Sequence, residues 1–98
     1  MDSGDISSEE TAVRQVTICN RKGLHARAAA KFVKLVATYQ SEVLVIRRDQ
    51  QVTGSSIMGL MMLAAGPGCE IELQAQGPDA TEVLDALEEL IRRKFDED

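Results

Sequence analysis

The sequence is poor in aromatic residues and in histidine. It has no tryptophan, one tyrosine and two phenylalanines among 98 residues, although 44% of the residues are hydrophobic. A core with so few rings has to be aliphatic, and this length suits one small domain rather than two. With one histidine, no Ser-His-Asp arrangement can be argued, and the P-loop and GxGxxG motifs are missing. The composition therefore predicts one globular domain without the signature of a self-sufficient enzyme.

Positive charge is also scarce. The chain has 11 Lys and Arg against 16 Asp and Glu, a net charge of -5. Because duplex binding relies on clustered Lys and Arg to displace counterions, this balance argues against a nucleic-acid partner, although a local basic patch stays open.

Cysteine is limited to Cys19 and Cys69, which lie in segments with an apolar pattern. Their separation has none of the paired spacing of a zinc site, so no metal is predicted. We expect two reduced core residues, with a disulfide as the alternative.

Export and membrane signals are missing from the sequence. The segment "MDSGDISSEETA" is acidic and Ser-rich, without the positive and apolar regions of a signal peptide. We expect residues 1–12 to be a disordered tail and residues 13–98 to form the folded domain. The longest apolar run, "IMGLMMLAAG", is too short to span a bilayer. The prediction is a cytoplasmic protein without membrane insertion.

The first half of the domain shows four elements. Val16 and Ile18 alternate with polar residues in a first strand, which Gly23 ends. Apolar residues at three- and four-residue spacing then predict a helix over residues 26–38. The segments "EVLVIRR" and "DQQVTG" predict a hairpin of two strands with its tip near Asp49.

The second half adds a helix, a strand and a helix. "SSIMGLMMLAAGPG" predicts a short helix from a serine N-cap to a glycine C-cap at Gly66. Residues 69–76 alternate strictly, as a half-buried strand does. Asp79 and Glu82 have the spacing of a capping box before the last helix. The apolar stripe of that helix is Val83, Leu84, Leu87, Leu90 and Ile91. The order βαββαβα predicts a two-layer α+β sandwich with helices on one face of an open sheet.

The only histidine lies where a glycine turn meets an alanine-rich helix, in "NRKGLHARAAAKF". At that position His25 faces the free N–H groups and the positive dipole end of the helix, which favour a neutral ring and a bound anion. These N–H groups and Arg27 could hold a phosphoryl group on the ring. The plainer alternative is that His25 is a cap and that Arg27 and Lys34 belong to a solvated helix face.

The motifs "GLHARAAAKFV" and "SSIMGLMML", about thirty residues apart, resemble those of the phosphocarrier HPr family of the phosphoenolpyruvate-dependent phosphotransferase system. The resemblance covers roughly Val13 to Lys94. It implies an open-faced βαββαβα sandwich with sheet order 1-4-2-3, a monomer without cofactor, and a phosphocarrier rather than an independent enzyme. It also implies that His25 accepts a phosphoryl group on Nδ1 from phosphorylated Enzyme I, beside Arg27, and passes it to an enzyme IIA-type acceptor.

Ser56 aligns with a serine that an HPr kinase modifies in many family members. A partner of the HPr kinase/phosphorylase type is therefore implied, whereas the alternative is that Ser56 only caps the short helix. Both roles are compatible, and Ser55 is the competing position. A phosphate there would add about two negative charges beside the docking surface.

The short helix is richer in methionine than its core packing needs. Methionine suits surfaces that meet several partners, because its unbranched side chain repacks easily. By resemblance, Ile57, Met58 and Met61 form the partner-docking patch, with Arg27 and Lys34 as a basic rim.

Two positions depart from the family pattern: Ala28 replaces a common proline, and Lys22 replaces a small polar residue. Neither change removes the nucleophile. The rival interpretation is a non-catalytic α/β module that binds a metabolite or a protein. Sugar transport and nitrogen regulation also stay open, since both would use the same carrier chemistry.

Overall fold

The computed structural model describes residues 10–97. Four strands form one antiparallel sheet in the order β1-β4-β2-β3, together with three helices. The elements are β1 (Glu10–Thr17), α1 (Ala26–Val36), β2 (Glu42–Arg47), β3 (Gln50–Thr53), α2 (Ile57–Met62), β4 (Glu70–Gly77) and α3 (Ala80–Arg92). The predicted element order and sheet order are confirmed.

The core lies between the helices and one face of the sheet. In β4, Ile71, Leu73 and Ala75 are buried, while the residues between them are more accessible, as a half-buried strand requires. The predicted stripe of α3 is buried along its whole length. Phe32 of α1 is fully buried and belongs to the same cluster. This core fixes both ends of α1, and with them the position of His25.

Several boundaries differ from the prediction, and β1 ends at Thr17, before Ile18 and Gly23. β1 already begins at Glu10, which pairs with Gly77, so residues 10–12 belong to the sheet; the remaining predicted tail lies outside the described residues. The helix predicted over residues 26–38 ends at Val36. The short helix ends at Met62, before the predicted stop at Gly66, because Ala64 has a φ of 53°, outside the right-handed helical region.

The predicted capping box at Asp79 is wrong. Asp79 precedes α3, but its side chain makes no cap hydrogen bond, and Glu82 is exposed. The Asp79 carboxylate instead accepts from the Gln40 N–H at 2.9 Å and from the Ser41 hydroxyl at 2.5 Å. The Asp79 carboxylate therefore bonds to residues distant in sequence instead of to the N–H groups of the first turn of α3. These bonds connect the start of α3 to the turn before β2.

The prediction that both cysteines lie in the core is also wrong. Ile18 follows β1 into the core, so the next side chain points outward, and Cys19 is exposed. Its thiol donates to the carbonyl of Ile91 at 3.2 Å. Cys69 is partly buried and packs against the core, and both thiols are free.

A left-handed turn after α3 was not predicted. Lys94, Phe95 and Asp96 have φ values of 57°, 56° and 61°. Left-handed backbone costs roughly 1–2 kcal/mol per residue for L-amino acids. The Phe95 side chain is fully buried, which contributes about 1.5–3 kcal/mol. Its carbonyl also accepts from Lys31 Nζ at 2.6 Å, so the turn is fastened to α1.

Candidate functional site

His25 is the N-cap residue of α1, as the sequence predicted. Its backbone is extended, with φ −76° and ψ 178°, and its carbonyl accepts the first helical hydrogen bond, from Ala29 N–H at 2.8 Å. Its Nδ1 accepts from the N–H of Arg27 at 3.3 Å. The first turn of α1 has no acidic residue, so no carboxylate of the helix neutralises its positive end.

Gly23 sets the course of the loop that leads to His25. Its φ is +64°, and a Cβ there would lie 2.2 Å from the Ala65 carbonyl oxygen. Only glycine allows this approach, and the next residue, Leu24, donates its N–H to that same oxygen at 3.0 Å. The loop is therefore fixed against the segment after α2.

The second ring nitrogen of His25 contacts the end of the described chain. Nε2 lies 2.5 Å from Oε2 of Glu97, and Oε1 of Glu97 accepts from Asn20 Nδ2 at 3.1 Å. The side chains of His25 and Glu97 are 26% and 18% exposed. Burial opposes ionisation of Glu97, but hydrogen bonds from Asn20 and His25, together with the charge of Lys31, hold its pKa below the ordinary value.

These contacts assign the tautomer of the neutral ring. The Arg27 backbone N–H can only donate, and an ionised carboxylate can only accept. The hydrogen-bond network therefore places the ring proton on Nε2, toward Glu97, and leaves a lone pair on Nδ1. Nδ1 faces the helix N-terminus, where an anion is stabilised.

The concavity around the ring is basic, although the chain as a whole is acidic. Five Lys and Arg and two acidic residues line it, besides His25 and Cys19. The basic groups come from the loop before α1, from α1 itself and from the C-terminal turn; they are Arg21, Lys22, Arg27, Lys31 and Lys94. Such a surrounding favours a bound anion over a cation.

Arg27 lines this concavity together with His25. It is exposed, and within residues 10–97 its guanidinium has no hydrogen-bond or ion-pair partner. Its five N–H donors are thus available for the oxygens of a phosphoryl group. Across residues 10–97, no group of three or more His, Cys, Asp or Glu is arranged to hold a metal.

Ser56 is the N-cap of α2, which confirms that part of the prediction. Its hydroxyl accepts from Gly59 N–H at 2.9 Å and is partly buried. The neighbouring Ser55 is exposed, and its hydroxyl lies 3.2 Å from that of Thr53. The hydroxyl of Ser56 therefore already has a structural role.

α2 buries one side and exposes its methionines. Leu60 is fully buried, whereas Ile57, Met58 and Met61 are 41%, 69% and 45% exposed. α2 packs against α1, the helix that carries His25. Lys34 lies elsewhere: it borders the groove between α1 and α3, beside Leu90.

Sequence reasoning missed Asn20 and Glu97. Asn20 is 1% exposed, and its amide also donates to the Gly23 carbonyl at 2.9 Å. Glu97 follows the left-handed turn, for which the sequence carries no periodic signal. An asparagine beside a glycine turn was the only local hint.

The family model described as "PTS HPr component phosphorylation site" matches residues 12–93. The phosphocarrier protein HPr of Cupriavidus necator is 49% identical over 84 residues, which are 86% of this chain and 94% of that protein. The phosphocarrier protein NPr of Shewanella violacea is 44% identical over 84 residues, covering 86% and 92%. A crystal structure of HPr-C-His from Thermoanaerobacter tengcongensis superposes with a TM-score of 0.85 at 38% identity, covering 89% of this chain and 98% of that one.

Proposed function

Because the chain belongs to the HPr family and is thus a phosphocarrier of the phosphotransferase system, not an independent enzyme, we propose that His25 carries the phosphoryl group. The observation that carries this proposal is the lone pair of His25 Nδ1 at the N-terminus of α1, inside a basic concavity. A nucleophile and an anion site thus coincide.

The transfer begins with neutral His25. Nδ1 exchanges its contact with the Arg27 N–H for a bond to phosphorus, and the N–H groups of the first turn then face the phosphoryl oxygens. The free guanidinium of Arg27 adds charge-assisted hydrogen bonds. These contacts stabilise the group modestly, since a carrier also has to release it.

The partners follow from the family, whose carriers work with other phosphotransferase-system components. We assign phosphorylated Enzyme I as donor and an enzyme IIA-type protein as acceptor. The exposed apolar side chains of Ile57, Met58 and Met61 offer a docking patch on α2, which packs beside α1. Lys34 adds positive charge at a separate place, the groove between α1 and α3.

The compartment is the cytoplasm in this proposal, since the carrier has to meet a donor that uses phosphoenolpyruvate. Among residues 10–97, no helix is long and apolar enough to cross a membrane.

Ser56 is the proposed regulatory position, modified by an HPr kinase/phosphorylase. A phosphate there would keep the N-cap acceptor for α2 and would gain from the helix dipole. It would also place about two negative charges beside the apolar patch and so oppose docking of an acidic partner. Treatment of Ser56→Ala and Ser55→Ala with such a kinase and ATP shows which of the two serines is modified. We expect phosphorylation to be lost in Ser56→Ala and retained in Ser55→Ala.

The carrier function is tested by incubating the full chain with phosphoenolpyruvate, magnesium and an Enzyme I that phosphorylates a known carrier. We expect one acid-labile phosphoryl group in the intact mass, absent in His25→Ala and retained in Ser56→Ala. No mass shift with an active Enzyme I would reject the role of His25 and favour the binding module.

A further inference from the structure

Three of the four methionines of the chain lie in one helix of six residues. They are Met58, Met61 and Met62 of α2, and the fourth is Met1. Positions i, i+3 and i+4 of a helix are neighbours on one face, so the three side chains form a single thioether surface. Their exposed fractions are 69%, 45% and 66%. An oxidant in solution therefore reaches all three side chains.

The side of this segment that packs in the core is built from leucine. Leu60 and Leu63 are fully buried and belong to the core cluster, so they hold α2 against the rest of the fold. Oxidation of a buried methionine disrupts a core, because it turns an apolar side chain into a polar one. In α2 the oxidisable side chains lie outside and the leucines lie inside. Oxidation of the thioether surface therefore leaves the core packing intact.

The exposed face of α2 carries no charge either. The helix sequence IMGLMM contains neither an acidic nor a basic residue. A partner that docks on this face gains free energy by burying apolar surface. A sulfoxide oxygen opposes such docking, because it loses its water and needs a new hydrogen-bond donor. A single added oxygen is thus a large change in the character of this face.

We propose that Met58, Met61 and Met62 are a site of reversible oxidation: a peroxide converts their thioethers into sulfoxides and thereby weakens docking of the phosphoryl donor. This inference rests on the proposed function, which places the docking patch on α2. Methionine sulfoxide reductases, one for each sulfoxide epimer, return the side chain to the thioether. The docking patch therefore links phosphoryl transfer to the oxidant level.

The oxidation step needs no group other than the peroxide. A lone pair of the methionine sulfur attacks one peroxide oxygen, and the S–O bond forms as the O–O bond breaks. With hydrogen peroxide, the second oxygen leaves with both protons as water. Sulfur loses two electrons and the peroxide gains them. In the reverse step two thiols of the reductase supply two electrons and two protons, which yields the thioether, water and a disulfide.

The test treats the full chain with hydrogen peroxide and locates each added oxygen by mass spectrometry of its peptides. We expect Met58 and Met62 to be oxidised before Met61, in the order of their exposed fractions. Oxidation should raise the KM of Enzyme I for this protein roughly tenfold. Incubation with the reductases should restore the initial KM. The midpoint of thermal unfolding should stay unchanged, because Leu60 and Leu63 keep their packing.

The matched control is the triple variant Met58→Leu/Met61→Leu/Met62→Leu, which removes the three thioethers and keeps Met1 and both cysteines. Its KM before treatment is its own reference, since these substitutions alter the docking patch. Peroxide should leave that KM unchanged. In Cys19→Ser/Cys69→Ser, which keeps all three thioethers, peroxide should raise the KM as it does in the wild type.

Four outcomes would overturn the inference. They are the absence of added oxygen at the three methionines, an unchanged KM of fully oxidised wild type, an equal rise in the triple leucine variant, and a fall of the thermal midpoint on oxidation. The third would assign the effect to a cysteine or to Met1, and the fourth would indicate damage to the fold. All four leave the carrier function intact, because that function fails only if untreated wild type is not phosphorylated by an active Enzyme I.

Discussion

Asn20 Nδ2 donates to Oε1 of Glu97 at 3.1 Å, and this hydrogen bond joins the loop before α1 to the end of the described chain. The same amide nitrogen donates to the Gly23 carbonyl at 2.9 Å, and the residue is 1% exposed. One buried amide therefore fixes both the glycine turn and the carboxylate that contacts His25.

Asn20→Ala should consequently destabilise the fold. Two acceptors lose their donor, one of them the backbone carbonyl of the turn, so the free energy of unfolding should fall by about 2 kcal/mol. Urea denaturation measures the loss. Gln15→Ala is the control, because exposed Gln15 bonds to Glu72 across the open face of the sheet, and it should change stability by less than about 0.5 kcal/mol. Equal losses in the two variants would contradict the structural role of Asn20.

Gly23→Ala should be more damaging than its conservative chemistry suggests. The added Cβ would collide with the Ala65 carbonyl oxygen, and φ of +64° strains any L side chain, so we expect a loss of about 2–4 kcal/mol. At Gly66 an added Cβ meets no atom within 4 Å. Gly66→Ala should therefore match the wild type or gain up to about 1 kcal/mol. Thermal unfolding compares the two variants, and a harmless Gly23→Ala would mean that the loop does not need this approach.

The elements that the sequence predicted well have local causes. His25 and Ser56 were placed at helix starts because a cap bonds to an N–H two or three residues ahead. The stripe of α3 was predicted because helical spacing brings those side chains to one face. In both cases the partners lie within a few positions along the chain.

The features that the sequence did not predict depend on distant partners. Asp79 bonds to Ser41, 38 positions away, instead of closing its capping box. Glu97 contacts His25, 72 positions away, through a left-handed turn that no periodicity indicates. Tertiary contacts decide such cases, because a side chain bonds to whichever partner the fold brings near.

Asp79 should make the fold sensitive to acid. The Ser41 hydroxyl, followed by the Gln40 N–H, lowers the pKa of Asp79 below its ordinary value of 3.8. A lowered folded-state pKa means that the stabilisation is present above 3.8 and is lost as the pH falls through the folded-state pKa. Urea midpoints measured from about pH 6 to about pH 2.5 should decline in the wild type and decline less in Asp79→Asn. Asp49→Asn, at the exposed hairpin tip, is the control, and its urea midpoint should decline with falling pH as steeply as that of the wild type. An equally steep decline in Asp79→Asn would contradict the role of Asp79 in the acid sensitivity.

The patch on α2 should affect docking without affecting stability. Met58 is 69% exposed, so Met58→Glu should shift the free energy of unfolding by less than about 0.5 kcal/mol. Met58 is a proposed docking residue for an acidic partner, which an added carboxylate would repel. Met58→Glu should therefore raise the KM of Enzyme I for this protein roughly tenfold, equivalent to about 1.4 kcal/mol, and leave kcat unchanged.

Two further variants separate docking from the general effects of charge and folding. Val13→Glu makes the same kind of change at a 55% exposed position on β1, and it should leave the KM near the wild-type value. Leu60→Ala, on the buried side of α2, should cost about 2–5 kcal/mol of stability. If Val13→Glu raised the KM as much as Met58→Glu, added negative charge alone would explain the effect, and α2 would lose its assignment as the docking surface. A rise confined to Met58→Glu would locate the donor's contact on α2, because only this variant alters the exposed side of that helix.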